Sequence, residues 1–106
     1  MLKHEQGHFD IDELFARKLR KAIRDARINC ENKAQAEAAG MRIWNQLEMN
    51  HRAAQEQYDT DTKHGTNPIA QAAASNSIAN ELASLDSYKF HQFACSEIAA
   101  ACKEKI

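Results

Sequence analysis

Near the start of the chain stands His4-Glu5-Gln6-Gly7-His8. On a helix, residues four apart project from one face, so two imidazoles at this spacing can hold one metal ion while the adjacent Glu5 reaches water at the metal's open position. Zinc suits such a site: it takes imidazole nitrogen and, with three protein ligands and one open position, lowers the pKa of water to about 7. Glu5 then acts as general base and returns the proton to a leaving amine, which is metal-assisted hydrolysis of a peptide bond. Two ionisable rings on an inward helix face need partners, and a shared metal satisfies both. Gly7 inside a helix costs about 1 kcal/mol against Ala, which points to a group approaching the backbone closely there.

The elements that must position these residues are helical. The 106 residues include 19 Ala, 1 Pro and no Val, and the 3 Thr cluster between positions 60 and 66. Strands draw on β-branched residues, so an all-α fold of one domain over residues 1–106 is expected. Helical periodicity gathers Ile11, Leu14, Phe15, Leu19, Ala22, Ile23 and Ala26 on one face of a helix from His4 to Ile28. Arg17, Arg20, Lys21, Arg24 and Arg27 fall opposite and read as a solvated face. A second helix runs from Lys33 to Tyr58 with Asn32 as N-cap, its inward face carrying Ile43, Trp44, Leu47, His51, Ala54 and Tyr58. The short connection makes the pair an antiparallel hairpin. After the turn-rich stretch Asp59 to Pro68, a third helix spans Pro68 to about Leu85, and a C-terminal helix within 84–106, capped by Asp86 or Ser87, carries Phe90, Phe93, Ala94, Ile98 and Ala101.

Folding the hairpin about residue 31 sets His8 opposite Ala54 and His4 opposite Tyr58, so the segment after Tyr58 returns to the histidine pair. It offers His64 as third zinc ligand, with Asp59 and Asp61 as weaker alternatives, and Tyr58 as a hydroxyl donor to the oxyanion of an attacked carbonyl. His51, roughly opposite Ile11, reads as a hydrogen-bonded histidine supporting the site rather than a ligand, although it stays open as one. His91 has nothing to link it to the site.

Fourteen Lys and Arg against fifteen Asp and Glu give no global field for nucleic acid. No apolar run is long enough to span a membrane. Cys30, Cys95 and Cys102 are an odd set without C-x-x-C spacing, so no thiolate zinc site is signalled.

Two blocks, Leu2 to Ile11 around the histidine motif and Tyr58-Asp59-Thr60-Asp61-Thr62-Lys63-His64-Gly65, together resemble a bacterial family of unknown function described as secreted zinc-dependent proteases. The resemblance covers about residues 2–83. It implies His4 and His8 as metal ligands, Glu5 as base, and Tyr58, Asp59, Thr62 and His64 as a second signature. It also implies a secreted or periplasmic setting and a strand-containing region ahead of the motif, where zincin-like proteases hold peptide by strand addition. This sequence starts three residues before His4, so the expectation is the helical half of such a metallopeptidase, without its substrate-binding sheet, its activity in this truncated form left open, and cytoplasmic if Met1 is the natural start. The competing expectation is a non-catalytic helical interaction module that forms a homodimer.

Overall fold

A computed structural model describes residues 2–28 and 31–89. They form three α-helices, α1 (Lys3–Ala26), α2 (Lys33–Thr62) and α3 (Pro68–Ser84), followed by a 3-10 turn, Asp86–Tyr88. No strand occurs among the described residues, as the composition leads one to expect. The cysteines and the C-terminal helix read from Phe90 onward lie outside them.

Helices α2 and α3 begin where the sequence supplies a side-chain cap, whereas α1 starts after Leu2 without one. Asn32 accepts from the Gln35 amide at 3.1 Å, and Asn67 accepts from the Ala70 amide at 3.0 Å with Pro68 just inside the helix. Proline at that position forfeits an N–H that would have had no helical partner. The chain leaves α2 through three consecutive left-handed residues, Lys63, His64 and Gly65 (φ 49°, 56° and 85°).

The helix α2 runs one turn further than the turn-forming residues Asp59 to Thr62 suggest. Thr62 is fully buried and its hydroxyl donates to the Tyr58 carbonyl at 2.8 Å, while it accepts from the Gly65 amide at 3.3 Å. The threonine thereby takes over part of the helix-end hydrogen bonding, and Asp59 is carried on the helix rather than on a loop.

The core is thin and lies where all three helices meet: Ile11 and Phe15 from α1, Tyr58 from α2 and Ile78 from α3, flanked by Leu47, Ala54, Ala74 and Leu82. Full burial of a side chain such as Ile11 or Ile78 stabilises by about 1.5–3 kcal/mol. The N-terminal half of α2 departs from the expected inward face, because Trp44 is 49% exposed. The basic stripe is also not simply solvated. Arg17 donates to the Leu82 carbonyl at 2.6 Å, and Arg20 to the Tyr88 carbonyl at 2.9 Å. A cation near the last carbonyls of a helix opposes the negative end of its dipole, so Arg17 ties the end of α3 to α1 while Arg20 ties the 3-10 turn after it.

The cap assignment predicts that Asn67→Ala lowers stability by about 1 kcal/mol whereas Asn67→Gly costs only a few tenths. Denaturant unfolding checks this, and equal losses for the two would contradict it.

Candidate metal centre

At the open end of the hairpin, His4 and His8 of α1 face Asp59 of α2. One carboxylate oxygen, Asp59 Oδ1, lies 2.9 Å from His4 Nε2 and 2.8 Å from His8 Nε2. Among the described residues these three form the one group whose donor atoms, all within 4.8 Å of one another, could hold a metal ion.

The other ring nitrogens are engaged by amides. His4 Nδ1 lies 2.9 Å from Gln71 Oε1 of α3, and His8 Nδ1 meets Gln55 Oε1 of α2. A glutamine oxygen only accepts, so each Nδ1 must be the donor. The amide orientations agree with the acceptors at their NH2 ends: Gln55 Nε2 donates to the His8 carbonyl and Asp12, with His51 Nε2 also 3.2 Å away, and Gln71 Nε2 donates to the Tyr58 hydroxyl at 2.7 Å. Tyr58 in turn gives its proton to the His4 carbonyl at 2.9 Å.

With both Nδ1 atoms committed as donors, the two Nε2 atoms converge on an oxygen that cannot donate. Metal-free, this arrangement is favourable only when the rings carry Nε2 protons; with neutral rings it offers two lone pairs and a carboxylate oxygen to a cation. Burial works against charge on His8, but its hydrogen bonds with Gln55 and Asp59 and the nearby carboxylates of Asp59 and Glu5 outweigh that and raise its pKa above the ordinary 6.5. Burial also pushes the Asp59 carboxyl up, and the hydrogen bonds from His4 and His8 outweigh it and hold the group below the ordinary 3.8.

Tyr58 is at the site, with its hydroxyl turned to the His4 carbonyl. It is buried, its ring stacks on His4 with centroids 4.7 Å apart and planes 7° apart, and its proton is already given to the His4 carbonyl. Its hydroxyl occupies the space beside Gly7, where an added Cβ would overlap both the oxygen and Cζ. The close approach expected at Gly7 is therefore this ring.

His64 lies outside the converging group. It is exposed in the left-handed turn, where its amide donates to the Asp59 carbonyl at 2.8 Å. It lines, with Leu2, His4, Glu5, Pro68 and Gln71, an open groove of about 350 Å³. The next residue, Gly65, packs so closely on His4 that a Cβ there would stand 2.8 Å from the His4 Cβ. Asp61 is exposed and accepts from Gln57. His51 stays one turn away, with Nε2 2.7 Å from Asp12 Oδ1 and its ring against Phe15. The two glutamines escape a motif-based reading; the available signals are Gln55 at four residues from both His51 and Asp59, and Gln71 as the lone long polar side chain in an Ala-rich stretch.

Two outcomes follow from this geometry. His8 contributes stability in full below pH 6.5, and loses it as pH rises through its raised pKa; Asp59 contributes in full above 3.8, and loses it as pH falls through its lowered one. The contribution of the pair to the metal-free protein is accordingly largest between those two values, and Asp59→Asn flattens its decline on the alkaline side in thermal unfolding. An unchanged pH profile in that variant would contradict the pairing. Gly7→Ala is expected to destabilise by roughly 1 kcal/mol or more despite its better helix propensity, because it overpacks against a buried ring anchored by hydrogen bonds. A gain in denaturant midpoint would show that Tyr58 yields freely.

No curated protein and no solved structure matches this chain. The family described as "Bacterial protein of unknown function (DUF922)" matches residues 1–65, which takes in α1, α2 and the turn through Gly65. The chain belongs to that bacterial family.

Proposed function

We propose that the chain carries the metal-binding centre of a zinc-dependent peptidase, with His4, His8 and Asp59 as protein ligands and Glu5 as general base. The observation that carries this reading is the convergence of two imidazole Nε2 atoms on one carboxylate oxygen while both Nδ1 atoms are satisfied elsewhere. Two imidazoles and a carboxylate are a donor set suited to catalytic zinc, and three protein ligands leave a position for water or substrate.

Zinc held there supplies Lewis acidity toward a peptide carbonyl and acidifies water at its open position. Asp59 and the two rings orient that centre. Glu5, next to His4 in sequence and exposed along the same groove, takes the proton of the attacking water and hands it to the departing amine. Tyr58 supports His4 from below, its ring stacked on the imidazole and its hydroxyl proton held by the His4 carbonyl. His64, exposed in the turn after α2, is left out of this ligand set.

Elemental analysis of purified variants tests the reading. Wild type and His64→Ala are expected to hold zinc near one equivalent, and Asp59→Ala to lose it; zinc kept by Asp59→Ala and lost by His64→Ala would reverse the ligand assignment. Glu5→Gln is expected to keep the metal and to lower hydrolysis of a casein-like substrate by about 10²–10⁴-fold.

A second reading, a helical interaction module, draws on Met41 and Trp44, which lie three residues apart on α2 and are 56% and 49% exposed. Exposed apolar patches mark protein contacts. A dimer whose association Trp44→Ser weakens, in a protein that takes up no zinc, would favour it.

A further inference from the structure

We infer that Gln55 and Gln71 are positioning residues of the metal centre: each holds one histidine in the Nδ1–H form and presents its Nε2 atom to the metal. The inference rests on the metal-binding reading proposed above and concerns residues to which that reading gives no role.

The two amides are pinned from behind, so neither can turn over without loss. Gln55 Nε2 donates to the His8 carbonyl at 3.1 Å and to Asp12 Oδ1 at 2.9 Å, and Asp12 is itself held by His51 Nε2 at 2.7 Å. Turning the Gln55 amide would set its oxygen against a carbonyl and a carboxylate. Gln71 is buried, and its Nε2 donates to the Tyr58 hydroxyl at 2.7 Å and to Ser75 Oγ at 3.2 Å. Turning it would forfeit the link that runs through Tyr58 back to the His4 carbonyl. Both oxygens are therefore fixed toward Nδ1, and both histidines are left with Nε2 as the ligand atom.

Partners of this kind set the tautomer and ring direction of a metal-binding histidine, and their loss typically weakens metal binding by about 10–100-fold. Their source in the fold is informative. Gln55 comes from α2 within the family match, but Gln71 comes from α3, beyond residue 65 where that match ends. The centre is thus complete only when α3 is docked, and the Arg17 contact from α1 to the Leu82 carbonyl of α3 serves the site as well as the fold.

Zinc affinity, measured by competition with a chromophoric chelator, tests the inference in Gln55→Met, Gln71→Met and Gln71→Glu; glutamate at 55 is no control, because its second oxygen would face the His8 carbonyl and Asp12. Methionine keeps the length of the side chain but removes the acceptor; glutamate keeps an oxygen acceptor for Nδ1–H. Each Met variant is expected to bind zinc about 10–100-fold more weakly than wild type, and Gln71→Glu to bind as tightly or more tightly. Thermal unfolding of the metal-free proteins verifies that the variants are folded. In the zinc-loaded wild type, both Nδ1 protons are expected as slowly exchanging downfield resonances, with that of His8 lost in Gln55→Met and that of His4 lost in Gln71→Met. Met variants that bind zinc like wild type, or Gln71→Glu as weak as Gln71→Met, would overturn the inference. Failure of wild type to bind zinc at all, with His4→Ala behaving identically, would overturn the metal-binding reading itself.

Discussion

The carboxylate of Asp59, shared at one oxygen between two imidazoles, is the interaction on which the remainder of the structure converges. To reach both rings it must sit on α2 and not on a loop, and it does so because Thr62 extends that helix by a turn. The two rings must share a face, which the four-residue spacing on α1 provides. They must also be turned so that their Nε2 atoms meet, and that orientation comes from amides on two further faces, one from α2 and one from α3. Three helices therefore close around one small polar centre at the end of the bundle.

That centre is built into the core rather than laid upon it. Tyr58 belongs to the apolar cluster with Ile11, Phe15 and Ile78, yet its hydroxyl stands between the His4 carbonyl and Gln71. Its ring needs Gly7, since any side chain there would take its space, and His4 needs Gly65 for the same reason on its other side. A polar network in partly buried surroundings is favourable only when its members are satisfied. Among the described residues no buried side-chain nitrogen or oxygen lacks a partner. Burial contributes only modestly in so thin a core, so this network carries a larger share of the specificity of the fold than it would in a larger domain.

Much of this could be read from the amino-acid order because it rests on local rules. Helix starts followed from Asn32 and Pro68, the antiparallel pairing followed from the short connection, and the opposition of His4 to Tyr58 followed from counting along two paired helices. The helix-propensity cost of Gly7 announced a close neighbour without naming it. What was not legible depends on side-chain direction over distances that spacing does not encode. Asp59 and His64 lie on the same short stretch, and histidine is the better zinc ligand in isolation, but the left-handed turn after Thr62 takes His64 away from the centre while the last helical turn aims Asp59 inward. Tyr58 could be placed at the site by register, whereas the inward commitment of its hydroxyl is settled by a carbonyl and an amide from other helices. Gln71 was beyond reach for a stronger reason: its role exists only through the docking of α3, which no local pattern specifies.

The central claim is that one metal ion joins His4, His8 and Asp59. X-ray absorption at the zinc edge of the zinc-loaded protein, compared with Asp59→Asn, addresses it most directly. The account predicts two imidazole nitrogens and a carboxylate oxygen at about 2.0–2.2 Å, with the carboxylate contribution missing in the variant. A first shell of three imidazoles, or one unchanged by Asp59→Asn, would contradict it.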